Sequence, residues 1–91
     1  MSSVRIPPVL RESTNGQRTV SASGGTVAQV LDDLFGQYPA LRARVTAHGE
    51  LSKFVNVYVN DRDVRYREGL ETTVGPDDTV ILLPAMAGGE R

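Results

Sequence analysis

The first apolar pattern of the chain has the period of a β-strand. Apolar or proline side chains of one parity occur at Val4, Ile6, Pro8 and Leu10. This alternation is typical of a strand with one buried face. Pro7 and Pro8 conflict with a regular strand, because proline has no N–H to donate to a neighbouring strand. We therefore expect a strand with a bulge or unpaired positions at the two prolines.

A turn and a second strand follow. Asn15-Gly16 is the strongest short hairpin signal in the chain, because both residues tolerate a positive φ. Val20 and Ala22 then continue the alternation more weakly. The pattern predicts that these residues form a second strand.

The period changes to that of a helix after Gly24-Gly25. Thr26 and Gln29 fit a capping box, in which each side chain bonds the backbone N–H of the other residue. Apolar side chains then follow at helical spacing, at Val27, Val30, Leu31, Leu34 and Tyr38. Pro39 ends this helix, and residues 40–53 are expected to be mostly loop.

The clearest strand is the segment FVNVYV over residues 54–59. Val55, Val57 and Val59 share one face, and Phe54 and Tyr58 lie on the other face with Asn56. Aromatic residues on the solvent side usually support cross-strand neighbours, and the alternative is a surface that binds a partner. Asn60-Asp61 predicts a turn into a short strand near Val64 and Tyr66.

The last strand differs from the others because both of its faces are apolar. Residues 75–78, Gly-Pro-Asp-Asp, predict a turn, and Thr79 to Leu83 follow it. A strand that is apolar on both faces belongs in the middle of a sheet. Five strands and one amphipathic helix therefore predict an α+β fold, with the helix across one face of a mixed five-stranded sheet. We expect one domain over residues 1–84 and a flexible C-terminal tail over 85–91.

Composition excludes several classes of function. The chain has 91 residues, a net charge of −1 and no cysteine, so thiolate metal sites and cysteine nucleophiles are excluded. The only histidine, His48, lies in a polar stretch, and we assign no metal site and no catalytic residue. The charge balance argues against nucleic acid as a partner. No segment is long and apolar enough for a membrane span, so we expect a cytoplasmic protein.

The chain ends in Ala85-Met86-Ala87-Gly88-Gly89-Glu90-Arg91. Small residues at a chain end often have no function. Here the glycine pair follows directly on the predicted central strand of the sheet. This position makes the tail the candidate functional segment.

Several segments together resemble the ThiS/MoaD family of ubiquitin-like sulfur carrier proteins. They are FVNVYVNDRDVR, DDTVILLP, AMAGG and RIPPVLRESTNGQRTVSASGGTVAQVLDDL, which cover nearly the whole chain. The greatest similarity is to the actinobacterial, CysO-type branch that serves cysteine synthesis. The resemblance implies a ubiquitin-like β-grasp fold.

The resemblance also implies a function. The carboxylate of Gly89 would be adenylated by a ubiquitin-activating-like adenylyltransferase and converted to a thiocarboxylate, while Ala87 and Gly88 thread through the partner's channel. The carrier would bind no cofactor, because ATP and the sulfur source are used by that enzyme. A sulfur-accepting synthase, such as a pyridoxal-phosphate-dependent cysteine synthase, would then take the sulfur. Candidate partner-surface residues are Phe54, Tyr58, Arg65 and Met86.

The tail departs from the family pattern in one respect. Carriers of this family end in Gly-Gly, whereas this chain continues with Glu90 and Arg91. Either a peptidase trims a precursor between Gly89 and Glu90, or the two residues are an addition to the natural protein. We favour a precursor, and the resemblance implies a JAMM-type metalloprotease as the trimming enzyme.

Other functions stay open from the sequence. The same fold and tail suit a protein modifier that is conjugated to lysines through Gly89, and they suit a plain interaction module. Carboxylate pairs at Asp61 and Asp63 and at Asp77-Asp78 lie where turns favour aspartate, so catalysis by this chain is the weakest hypothesis. The acceptor pathway is also open: cysteine synthesis leads, and molybdopterin, thiamine or a secondary metabolite are the alternatives.

Overall fold

The computed structural model describes residues 1–47 and 50–84, with the backbone alone at Arg65. Its strands are β1 (Ser2–Arg5), β2 (Thr19–Ala22), β3 (Thr46–Ala47), β4 (Glu50–Leu51), β5 (Val55–Val59), β6 (Arg62–Asp63) and β7 (Thr79–Pro84). Its α-helices are α1 (Val27–Gln37) and α2 (Ala40–Val45), and 3₁₀ helices cover Pro8–Thr14, Val64–Tyr66 and Gly69–Glu71. His48 and the predicted tail over 85–91 lie outside the described residues.

Five strands form one mixed sheet in the order β2-β1-β7-β5-β6. β1 and β7 are parallel, and the other neighbouring pairs are antiparallel. The prediction that β7 lies in the middle of the sheet is confirmed, since β1 and β5 flank it. Strands β3 and β4 pair separately as a small antiparallel hairpin.

Helix α1 lies across one face of the sheet and begins as the sequence predicts. The N–H of Gln29 donates to Thr26 Oγ1 at 3.3 Å, which is one half of the capping box. The other half differs from the prediction, because Gln29 Oε1 accepts from the N–H of Gly25 at 2.8 Å and not from that of Thr26. The helix buries Val27, Val30, Leu31, Leu34 and Phe35.

Gly24 allows the chain to pass close beneath the first turn of α1. Its φ is +156°, and a Cβ at this position would lie 2.6 Å from the backbone nitrogen of Val30. Any other residue would therefore push α1 away from β2. The sheet contributes Val4, Val57, Val80 and Leu82 to the core that α1 covers.

The first strand is shorter than predicted. β1 ends at Arg5, and a 3₁₀ helix over Pro8–Thr14 replaces the expected bulged continuation. The fixed φ of proline suits the first turn of a helix, where its missing N–H costs nothing. The N–H of Leu10 donates to the carbonyl of Pro7 at 2.9 Å, and Leu10 is still buried. Asn15 and Gly16 adopt positive φ as predicted, in the turn that follows this 3₁₀ helix.

Two further predictions are wrong in detail. Residues 40–53 are not mostly loop, because α2 buries Leu41 and Val45 one helical turn apart, and β3 and β4 follow it. The short strand expected near Val64 and Tyr66 lies instead at Arg62–Asp63, and Val64–Tyr66 is a 3₁₀ helix. Among residues 1–47 and 50–84, no helix is long and apolar enough to cross a lipid bilayer.

A hydrogen-bonded turn positions the start of β7. Asp78 accepts from the N–H of Gly75 at 2.8 Å and from the side-chain amide of Asn60 at 3.1 Å. Asn60 Oδ1 in turn accepts from the N–H of Thr79 at 3.0 Å. The bond from Gly75, followed by that from Asn60, holds the pKa of the Asp78 carboxyl below its ordinary value of 3.8. The aspartate therefore has a structural role, as the turn pattern predicted.

Truncation of Leu34 tests the packing of α1. We expect Leu34→Ala to lower the free energy of unfolding by about 2–5 kcal/mol, because the side chain is fully buried. The matched control is Asp32→Ala on the exposed face of the same helix, which should change stability by less than about 0.5 kcal/mol. Urea melts measure both, and equal stabilities for the two variants would contradict this placement of α1.

The lowered pKa of Asp78 predicts a loss of stability in acid. A carboxylate with a lowered folded pKa stabilises the fold above its unfolded pKa, and this contribution disappears as the pH falls through the folded value. Asp78→Asn cannot ionise, so it should be less stable than the wild type at neutral pH. The deficit should shrink as the pH falls below 3.8. Urea midpoints across the pH range measure it, with Asp77→Asn as the control, and a deficit that is constant with pH would contradict the assignment.

Candidate functional site at the base of the tail

β7 carries the chain to the base of the tail. Val80 and Leu82 point into the core, whereas Leu83 and Pro84 are exposed. Pro84, the last described residue, still pairs with Val55 of β5. Pairing with β5 therefore holds β7 up to Pro84, one residue beyond the predicted end of the strand.

The sequence-predicted site residues divide into three groups. The tail residues Met86, Ala87, Gly88, Gly89 and Glu90 all lie outside the described residues. Arg65 is in the 3₁₀ helix after β6, where only its backbone is described. Phe54 and Tyr58 are fully described, and they lie in different surroundings.

Phe54 is beside the base of the tail. Its side chain is 60% exposed, and Lys53 Nζ lies 5.8 Å from the centroid of its ring. Phe54 lines a recess of about 350 Å³ together with Val9, Arg44 and Pro84. Arg44 Nη2 donates to the carbonyl oxygen of Val9 at 3.2 Å and so joins α2 to the first 3₁₀ helix. The exposed phenyl ring is thus held at the edge of the tail base.

Tyr58 lies on the open face of the sheet, away from that recess. It pairs with Ile81 of β7 and with Asp63 of β6, and it is half-buried. On the same face, Asn56 pairs with Leu83, which is 42% exposed. Asn56 Oδ1 is buried and accepts no hydrogen bond from the part of the chain that the structure describes. The structure therefore does not bring Phe54 and Tyr58 together as one surface.

Sequence reasoning missed a groove on the other side of Pro84. Arg5, Arg11 and Arg18 line it, over a volume of about 470 Å³. Pro7, Pro8 and residues 81–84 of β7 supply the apolar part of its wall. The three arginines are six and seven residues apart, with a turn and a 3₁₀ helix between them, so no local motif indicated the groove. They meet because the hairpin of β1 and β2 returns the chain to the end of β7.

The described surface around Pro84 carries groups suited to binding another molecule. No group of three or more histidine, cysteine, aspartate or glutamate side chains within residues 1–47 and 50–84 is arranged to hold a metal ion. Asp78, one of the two carboxylates of the predicted 77–78 pair, is engaged by Gly75 and Asn60. Around Pro84 the surface instead presents guanidinium groups and apolar side chains.

Comparison with known proteins gives the chain its family. Residues 4–89 match the model of the ThiS family. The chain is 47% identical over 89 residues to the sulfur carrier protein CysO of Mycobacterium tuberculosis. The aligned region covers 94% of this chain and 96% of the relative.

Solved structures agree with this assignment. A chain in the crystal structure of the Amycolatopsis orientalis BexX/CysO complex superposes with a TM-score of 0.91 at 44% identity, covering 98% of this chain and 100% of that chain. The solution structure of small archaeal modifier protein 1 from Methanosarcina acetivorans gives a TM-score of 0.85 at 32% identity, covering 97% and 95%. The β-grasp fold predicted from the sequence is confirmed.

The family match spans both the sheet and the segment that follows it, and the similar proteins are named as a sulfur carrier protein and a small archaeal modifier protein. The chain therefore belongs to the ThiS family of ubiquitin-like proteins, and its function is that of a sulfur carrier, a protein substrate that other proteins act on.

Proposed function

We propose that Gly89 carries the sulfur, as a C-terminal thiocarboxylate, after Glu90 and Arg91 have been removed. The observation that carries this proposal is the end of the family match at residue 89, which leaves the last two residues outside it. The anchored end of β7 at Pro84 adds support, because it presents the tail from a fixed point of the fold.

The chemistry follows from the poor electrophilicity of a carboxylate. The Gly89 carboxylate attacks the α-phosphorus of ATP and releases pyrophosphate, which gives an acyl adenylate. A sulfur nucleophile then adds to the acyl carbon, and AMP leaves as the thiocarboxylate forms. The adenylating enzyme supplies ATP and the catalytic groups. This chain supplies the carboxylate and the surface that positions it.

The length and composition of the tail suit entry into another protein's active site. Five residues separate Pro84 from the carboxylate of Gly89, and they reach roughly 16 Å when extended at ~3.3 Å per residue. Gly88 and Gly89 have no Cβ, so they pass through a narrow channel and adopt dihedrals that other residues avoid. Glu90 and Arg91 would bring two charged side chains into that channel at a desolvation cost.

The sulfur acceptor is proposed from the relatives. Two of the similar proteins carry the name CysO, and cysteine synthesis, with a pyridoxal-phosphate-dependent synthase as acceptor, is accordingly the leading pathway. The A. orientalis protein was crystallised in complex with BexX, which supports a sulfur-accepting partner protein for this chain. A JAMM-type metalloprotease is proposed as the enzyme that cuts between Gly89 and Glu90.

Loading of trimmed and untrimmed chains tests the proposal. Incubated with the adenylating enzyme, ATP and sulfide, the chain that ends at Gly89 should gain the oxygen-to-sulfur mass increase in mass spectrometry. The chain that ends at Arg91 should not, because the Gly89 carbonyl is then an amide. Thiocarboxylate on the intact Arg91-ended chain would overturn the trimming step.

A variant of the trimmed chain provides the matched control. Gly89→Val should block loading, because a branched side chain replaces a hydrogen at the reacting residue. Its urea melt should equal that of the trimmed wild type. Equal loading of this variant would overturn the threading argument while leaving the identity of the carrier intact.

A second function, conjugation to other proteins, is favoured by the similarity to small archaeal modifier protein 1. The same acyl adenylate would then react with a lysine amine and not with sulfide. Lys53 is the only lysine of this chain, so linkage between copies is restricted to one side chain. In cell extract with ATP, lysine-linked adducts would favour the modifier, and thiocarboxylate alone would favour the carrier.

The exposed phenyl ring of Phe54 beside Pro84 is proposed as a partner contact. Tyr58, Arg65 and Met86 are proposed as further contacts, of which Tyr58 lies apart from the Phe54 recess. Phe54→Ser should raise the KM of the adenylating enzyme for the carrier about tenfold, since buried aromatic anchors dominate interfaces. The control is Tyr66→Ser, in a 3₁₀ helix further along the chain, where the side chain is 87% exposed. Both melts should match the wild type, and equal KM values for the two variants would remove Phe54 from the interface.

A further inference from the structure

The groove defined by Arg5, Arg11 and Arg18 has no role in the function described so far. It lies against the last residues of β7, and Pro84, where the tail begins, forms part of its wall. Any molecule in this groove is therefore next to Pro84, the last residue before the tail. We refer to it below as the arginine groove.

The positive charge of the arginine groove is uncompensated by its own lining. The described residues that line it include no aspartate and no glutamate, although the chain as a whole has a net charge of −1. Three guanidinium groups facing one cavity repel one another, and the repulsion is relieved when anionic groups enter. The groove is thus complementary to negative charge.

Arg11 is the fixed member of the three. Its Nε donates to the carbonyl oxygen of Ile6 at 3.1 Å, and its side chain is half-buried. This bond uses one of the five N–H donors of the guanidinium and restricts the orientation of the rest. Arg5 and Arg18 are exposed, on β1 and immediately before β2. The groove therefore has one oriented arginine and two that can adjust to a ligand.

The apolar part of the groove favours a peptide over a simple anion as its ligand. Pro7, Pro8, Ile81 and Leu83 line it beside the arginines. A volume of about 470 Å³ is large for an isolated phosphate or carboxylate. It suits a short peptide segment that places carboxylates on the guanidinium groups and an apolar side chain on the prolines. Arginine binds carboxylates in bidentate pairs, which gives such contacts direction as well as charge.

We propose that the arginine groove is the docking site for an acidic segment of the adenylating enzyme, which holds the carrier while its tail enters the active site. The inference rests on the proposed function, because it assumes an enzyme that takes the tail. It adds the location of the contact, next to Pro84, and the chemistry of the segment that fills it. Contacts of this kind accelerate association and are weakened by salt.

Charge reversal at the two adjustable arginines tests the inference. The double variant Arg5→Glu, Arg18→Glu is made in the chain that ends at Gly89, and Arg11 is kept because of its bond to Ile6. Steady-state formation of AMP, with the enzyme that loads the wild type, gives kcat and the KM for the carrier. We expect KM to rise at least about thirtyfold while kcat is unchanged, since the tail and its carboxylate are intact. Added salt should raise the wild-type KM and leave that of the variant nearly constant.

The matched control carries the same change of charge elsewhere. Arg62→Glu, Arg67→Glu alters two exposed arginines, one in β6 and one in the segment that follows it, at the other edge of the sheet from β2. This control should keep the wild-type KM, and urea melts should show that all three proteins are folded. An equal rise of KM in both double variants would overturn the inference, because it would reflect general attraction between the proteins.

Other occupants of the groove give different outcomes, and each would overturn the inference. If the carrier's own tail filled the groove, the Arg5, Arg18 variant would have a lower KM than the wild type. If the groove bound the phosphates of ATP, the KM for ATP would rise instead. Unchanged kinetic constants would leave the groove without a role in adenylation.

The inference and the proposed function fail separately. If no adenylating enzyme loads the wild-type chain, the proposed function fails. The groove is tested separately by calorimetry, in which the carrier is titrated with a candidate adenylating enzyme in the absence of ATP. The inference requires that the wild type binds at least about thirtyfold more tightly than the Arg5, Arg18 variant.

Discussion

The pairing of β7 with β1 on one side and β5 on the other is the constraint on which the rest of the structure depends. A parallel pair such as β1 and β7 requires a long crossover connection, and the chain places α1 in that crossover. β1 pairs with residues 79–81 of β7 and β5 pairs with residues 80–84, so the centre of the strand is held on both edges and its end at Pro84 is held by β5. The residues after Pro84 therefore start from a central strand whose last residue is paired with Val55 of β5.

Two surfaces flank that starting point, and they differ in chemistry. On one side, Phe54 and Val9 are exposed in a recess that also contains Arg44. On the other side lies the arginine groove, which joins guanidinium groups to two prolines. A protein that receives the tail must pass over one or both of these surfaces. The partner would then supply the catalytic groups, and the carrier would supply the surface around Pro84 by which the partner recognises it.

The sequence predicted the parts of the fold that depend on local periodicity. α1 and β7 are correct because their apolar residues repeat at unambiguous spacings, and the capping residue Thr26 marks the start of the helix. The extension of the first strand through Leu10 was wrong, because a period of two over a few residues also occurs when a 3₁₀ helix buries one side chain after a proline pair. α2 was missed because Pro39 marked the end of one helix, and the six residues after it carry too short a pattern to indicate another. Local sequence patterns could not predict the arginine groove, because Arg5, Arg11 and Arg18 come together only after the hairpin has formed.

The choice of arginine for the positive charge near the tail has a chemical consequence. An acyl adenylate is attacked by any free amine within reach, and a lysine beside Pro84 would be such an amine. Guanidinium groups are delocalised cations and poor nucleophiles, so the cations of the groove would not consume the activated chain end of the proposed reaction. Nine of the ten cationic side chains are arginine, and the one lysine, Lys53, lies with its Nζ 5.8 Å from the centroid of the Phe54 ring, so Lys53 is the side-chain amine of this protein that could be acylated.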